Sequence, residues 1–392
     1  MPEAASARVV TGEEPGSFAR TVLAERHPAL IRKVRDAFPY PPEQRRALEA
    51  LLEETQHGVV EALPAGAQDG GRWAAWGAHH FGRSWFDVPF LWAESYFYRR
   101  LLEAVGYFGP GPWQGVDPFA PFKRAELDGA AVAEELAALD DVAALPPEAR
   151  DEAVLGGALS GNRADLGFRI SASERGERGA PGGLRVVADD SAPFWRHLAR
   201  SAAGTAYLLA DNAGRELIPD LILLDHLLRT GRAESAVLHV KPYPSFVSDA
   251  TTSDVVDCLR RVTDAPGRAG RIGARLWEAL TGGRLSVRAH PFSCAPLPYA
   301  DMPADLRADL SRAAVTISKG DLNYRRLVGD RLWPGTTGFA ERTARFPGPL
   351  LALRTLKSDV AVGLEASALA ALEDSGEAWR TSGAYAVVHF RP

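Results

Sequence analysis

The chain has 392 residues, 46% of them hydrophobic and 24% charged, with a formal net charge of −5. Such a length supports a large core and suggests two packed units, while scattered Lys and Arg exclude the electrostatic footprint of a nucleic-acid binder. With only Cys258 and Cys294 there is no disulfide framework and no CxxC metal pair, and no apolar run reaches membrane-spanning length, so a cytoplasmic protein with no membrane partner is expected.

The first 16 residues lack a basic segment followed by an apolar one and read as a disordered N terminus. From Ser17 the pattern turns helical. LIRKVRDAF, ALEALLEETQHGVVEAL and FLWAESYFYRRLLEAVGYF repeat apolar residues every three or four positions, which predicts an N-terminal helical domain over 17–170. The aromatic stripe of Trp85, Phe86, Phe90, Trp92, Tyr96 and Phe97 reads as helix packing, with Glu94 and Arg99 within reach of a pocket. His79, His80 and His226 lack partners at metal-ligand spacing.

SERGERGAPGGL (173–184) reads as a flexible join. Beyond it, TAYLLA, SAVLHV, LSVRAH, AAVTIS, PLLALR and AYAVVHF alternate with helical stretches. That order predicts βαβ units, an α/β fold and a mainly parallel sheet over 185–392.

A doubly wound sheet puts its crevice at the carboxyl ends of its strands, and four of these ends are unusually polar. TAYLLA is followed by Asp211-Asn212, and SAVLHV by a loop with Lys241 and Asp249. AAVTIS leads into Lys319-Gly320-Asp321-Leu322-Asn323, and PLLAL into Arg354, Lys357 and Asp359. Two carboxylates and an amide oxygen suit a hard divalent cation such as Mg or Mn; lysines and an arginine suit a phosphate. Together they suggest metal-assisted phosphoryl chemistry. Taken singly, each piece has a plainer reading: Asp-Asn before a glycine is equally a turn with an N-cap, Asp249 a cap for the next helix, and Lys357 a solvated strand end. What links them is that all four loops follow strands of one inferred sheet.

DNAGRE (211–216), HVKPYPSFVSDAT (239–251), KGDLNYRRLVGD (319–330) and RTLK (354–357) resemble the damage-control phosphatase family, in its acidic-residue-methyltransferase-like branch with the RTxK motif. SGNRADLGF (160–168) is similar to that family's GN-x-x-D segment, and WAESYFYRR (92–100) to an N-terminal aromatic-acidic helix. The resemblance implies a helical region over a Rossmann-like α/β/α domain and metal-dependent hydrolysis of phosphate monoesters, chiefly sugar phosphates of the fructose 1-phosphate or 6-phosphate type. It implies Asp211, Asn212 and Asp249 as metal ligands for Mn or Mg, with Ni or Co as alternatives. It also implies that Lys319 to Asn323, Arg354, Lys357, Glu216 and Asn162 line the substrate. The chain departs from the family at ALS (158–160), where an aromatic such as Trp is expected, and that position bears on sugar choice.

Two other classes compete with this reading. One is an S-adenosylmethionine-dependent carboxyl methyltransferase, as the branch name records; against it, no strand is followed by a GxGxG turn. The other is a non-catalytic protein that binds a metal and a sugar phosphate.

Overall fold

The computed structural model describes residues 7–161 and 183–392. Its centre is a seven-stranded sheet: β1 (Arg185–Asp189), β2 (Thr205–Leu209), β3 (Ser235–Val240), β4 (Leu285–Ala289), β5 (Val315–Lys319), β6 (Leu350–Thr355) and β7 (Tyr385–Arg391), in the spatial order β1-β7-β6-β5-β2-β3-β4. All neighbours run parallel except β6 and β7. The α/β fold with a mainly parallel sheet is therefore as expected. RVVAD, which was not read as a strand, forms β1, a partly exposed edge strand that pairs only with β7.

Side chains alternate across the central strands with the period of two that pleating imposes. Tyr207, Leu209, Val237, Leu350 and Ala352 join one hydrophobic core, and Ala206, Leu208, Leu238, Ile317 and Leu351 join another. The first core also contains residues from the helices His27–Ala37, Pro42–His57 and Phe90–Ala104. The second contains Leu217–Arg229, Thr252–Thr263 and Gly267–Thr281, and also Ala130–Ala137 and Pro147–Ser160. The helices expected to form one N-terminal unit are thus divided between the two faces of the sheet.

Helix Phe90–Ala104 is buried almost all round, as a sequence apolar on every face requires. Its polar side chains are paired rather than turned toward a pocket: Arg99 bonds Asp69 at 3.0 Å and Glu103 at 2.7 Å, and Glu94 accepts from Arg325 at 2.9 Å. Residues 7–16, expected to be disordered, are instead held against the protein, through bridges Val9–Arg331 and Thr11–Pro89 and a bond from the Val10 amide to the Asp330 carbonyl. No described helix is long and apolar enough to cross a membrane. The segment 173–182 of the expected join lies outside the described residues.

Candidate active site

The chain runs from β2 outward through β3 and β4, then returns to β5 on the other side of β2. The carboxyl ends of β2 and β5 therefore flank the topological switch point, where open α/β sheets place their ligand crevice. Asp211 follows β2 here and Gly320 follows β5.

The loops after β2 and β3 are zipped together. Asn212 and Asp249 form an antiparallel bridge, in which the Ala213 amide donates to the Ser248 carbonyl at 2.6 Å and the Ala250 amide to the Asp211 carbonyl at 3.0 Å. Lys241 and Thr251 pair beside them. This pairing answers why a buried strand ends in Asp-Asn: the acid and amide enter a second short ladder that sets Asp211, Asn212 and Asp249 side by side.

The two aspartates are 8% and 1% exposed. Burial, and then the neighbouring carboxylates of Glu216 and Asp249, push the Asp211 carboxyl well above the usual range. Burial also raises Asp249, against the pull of Lys241 and Lys123. Lys241 Nζ lies 3.6 Å from Asp249 Oδ2 and donates to the Ser293 carbonyl at 2.9 Å. The Asn212 amide donates to Glu216 Oε2 at 2.8 Å, and its carbonyl oxygen accepts from Ser248 Oγ at 2.8 Å. Among the described residues no three His, Cys, Asp or Glu side chains form a metal-holding group. Two carboxylates with one amide oxygen nevertheless fit a hard cation, and buried acids that repel one another are what a bound cation would relieve.

The residues after β5 and β6 divide in their roles. Lys319 is buried and donates to Asp220 Oδ1 at 2.6 Å. Burial alone would lower its pKa, but Asp220, Glu216 and Asp211 hold it above the ordinary value. The Asn323 amide donates to the carbonyls of Ala210 and Lys319, at 3.2 and 2.9 Å, and its oxygen accepts from Tyr299 at 2.9 Å. Asn323 thereby ties the ends of β2 and β5 together. Arg354 bonds Asp321 through Nε at 2.8 Å, Ser358 Oγ at 2.9 Å and the Val360 carbonyl, with its guanidinium over the Tyr324 ring. Leu322 is half-buried.

Lys357 differs from these. It is half-buried, and among the described residues its ammonium makes no hydrogen bond or ion pair, although its charge acts on both Asp211 and Glu126. The motif RTLK thus contains a committed arginine and an uncommitted lysine. Asn162 lies outside the described residues, but the preceding segment reaches the site: a side chain on Gly161 would strike Glu216, and Thr355 Oγ1 donates to the Leu159 carbonyl at 3.4 Å.

Asp220 and Lys123 were not singled out from the sequence, and Lys241, noted there as a polar strand end, was not placed in the ligand or substrate set. The i,i+4 spacing of Glu216 and Asp220 puts both on one side of a helix. Lys241 stands at a strand end, the signal that drew attention to Lys319. Lys123 lies on the helix Ala120–Leu127, far from any strand, and nothing in its surroundings along the chain marks it.

Acids and lysines gathered at the switch point of a mostly parallel sheet define a Rossmann-like α/β protein with a charged crevice. The chain belongs to the damage-control phosphatase ARMT1-like domain family, which matches residues 22–371. It is similar to damage-control phosphatase ARMT1 of Danio rerio, at 31% identity over 96% of this chain and 95% of that protein. The proteins of that name from Mus musculus and Homo sapiens are 32% and 30% identical, each over 78% of this chain and 75% of the relative. A crystal structure of a DUF89 family protein from Pyrococcus horikoshii shares 15% identity at a TM-score of 0.49, over 91% of this chain and 93% of that one.

Proposed function

We propose that this chain is a metal-dependent phosphatase of small phosphate monoesters, sugar phosphates of the fructose 1-phosphate or 6-phosphate type foremost. What supports the reading most is the pairing of buried Asp211 and Asp249 across a two-loop ladder at the switch point, in a chain of the damage-control phosphatase family.

Asp211, Asn212 and Asp249 would hold the cation, Mn or Mg. Bound there, it would polarise a phosphoryl oxygen and favour ionisation of a water. The protein's own groups supply the rest. Phosphoryl transfer gains chiefly from positioning and from fixed charge placed where negative charge spreads over the phosphoryl oxygens. Lys357 is the cation available for that task, because its ammonium has no acid already bound to it among the described residues. Lys319 and Lys241 offset part of the acids' charge from behind while bonded to Asp220 and to the Ser293 carbonyl. Glu216 anchors the Asn212 amide, so that the amide oxygen is turned to one side only.

The reading is tested by inorganic phosphate release from a panel of sugar phosphates with Mn, with Mg and with EDTA. Release that needs the cation supports it; no release from any member in the presence of either metal refutes it.

A further inference from the structure

Lys123 comes from the helix Ala120–Leu127, early in the chain and far from any strand, yet its ammonium is buried at the site's edge. It donates three hydrogen bonds: to Asp117 Oδ2 at 2.9 Å, to Asp254 Oδ2 at 2.9 Å and to the backbone carbonyl of Asp249 at 2.8 Å. Three acceptors match the three donors of an ammonium. Burial alone would lower its pKa, but Asp117 and Asp254 outweigh that and hold it charged.

Two features make the contact with Asp249 consequential. The ladder between the loops uses the amides of Ala213 and Ala250 and the carbonyls of Ser248 and Asp211, which leaves the Asp249 carbonyl to Lys123. Next to it lies a cavity of about 470 Å³, lined by Phe38, Tyr107, Lys123, Pro242 and Thr251 among others. Phe246 packs on Tyr98 at 4.5 Å on one side of that gap, and on the other side Lys123 ties the loop by a polar bridge. Asp254 Oδ2 also accepts from the Thr251 amide at 2.8 Å and from Thr251 Oγ1 at 2.7 Å. The same lysine therefore fixes the cap of helix Thr252–Thr263 and the residue two positions before it.

We propose that Lys123 is a positioning residue for the cation site, holding the Asp249 carboxylate in place by gripping that residue's backbone from its own helix. The inference rests on the reading of Asp211, Asn212 and Asp249 as cation ligands. Partners that orient a metal ligand typically change metal affinity by about 10–100-fold when removed.

The test is calorimetric titration of Mn(II) into the metal-stripped full chain, together with melting temperatures. Lys123→Met should weaken Mn binding about tenfold or more. Asp117→Asn should lower the melting temperature but leave Mn affinity within about twofold, because the bonds to Asp249 and Asp254 persist. Lys123→Arg keeps the charge that neutralises Asp117 and Asp254, so it should fold, yet its planar group cannot serve three converging acceptors, and Mn binding should weaken several-fold. Wild-type affinity in folded Lys123→Met, or in Lys123→Arg should the first not fold, overturns the inference. So does an equal loss in Asp117→Asn, which would mean general loosening of that helix. Asp249→Ala separates the two levels: if it loses Mn and the Lys123 variants do not, only this inference fails, and if it binds Mn normally the cation reading itself fails.

Discussion

Gly320 and Asp211 approach so closely that a β-carbon at residue 320 would fall 1.8 Å from Asp211 Oδ2. Gly320 also has φ of +84°, a region side chains rarely enter. Gly320→Ala should therefore push the Asp211 carboxylate out of place and cut kcat/KM by about a hundredfold or more, at a stability cost of roughly 1–3 kcal/mol. Steady-state kinetics and a melting curve of this variant check both effects.

In the motif RTLK, Arg354 is bonded within the protein, while Lys357 makes no hydrogen bond or ion pair among the described residues. Arg354 is 1% exposed and pairs with Asp321, whose carboxyl it and Arg325 hold below the usual range although burial opposes them. Arg354→Ala removes the ion-pair partner of that largely buried carboxylate and leaves it only the Ser358 hydroxyl at 3.0 Å, so it should destabilise the fold by about 3–5 kcal/mol. Lys357→Ala should leave the melting temperature close to wild type and lose about 2–3 kcal/mol of transition-state stabilisation, roughly a hundredfold in kcat/KM. Full activity in Lys357→Ala would place the phosphate contact elsewhere.

Under the proposed cation site, the clustered acids carry a stability cost when no cation is bound. Asp211 is buried near Glu216 and Asp249, and its ionised form is disfavoured by burial first and by those carboxylates second. Asp211→Asn keeps the shape and removes the repulsion, so the metal-free variant should melt higher than the metal-free wild type while losing activity. An unchanged or lower melting temperature would show that the neighbouring lysines already balance the cluster.

His27 gives a pH prediction independent of the site. Its ring is 1% exposed and stacks on Phe97 at 3.6 Å, and neither ring nitrogen has a hydrogen-bond partner among the described residues. Burial lowers its pKa from 6.5 to about 3. The unfolded chain takes up a proton below the ordinary value and the folded one does not, so this contribution is complete above about pH 6.5 and is lost as pH falls toward 3. Between pH 7 and 5 the loss is about 2 kcal/mol. In denaturant titrations the stability of His27→Phe should fall less than that of wild type over this interval; parallel losses would contradict the assignment.

The order of strands and the polar loops behind them were readable because buried strands leave unbroken apolar runs that stop abruptly. TAYLLA ends at Asp211 for this reason, and AAVTIS at Lys319. β1 escaped notice because RVVAD is a partly exposed edge strand, without such a run. Which basic residues are bonded within the protein was not readable. Lys319 and Asp220 are 99 positions apart, Arg354 and Asp321 33, and Lys123 and Asp249 126. Which lysine is spoken for and which is free depends on pairings that exist only after folding. The same holds for Asn323, whose amide joins two strand ends, although its place in KGDLN reads as a ligand contact.

Under the proposed function, Asp211 and Asp249 together would hold a cation on which phosphate release depends. This is tested most directly by stripping the protein of metal, adding Mn back in steps, and following inorganic phosphate from fructose 1-phosphate for wild type and Asp249→Asn in parallel. No release is expected without metal, with saturable restoration in wild type and at least a hundredfold lower activity in Asp249→Asn at any Mn concentration, about 3 kcal/mol for losing one charged ligand. Equal restoration in the two proteins, or full release in EDTA, would contradict it.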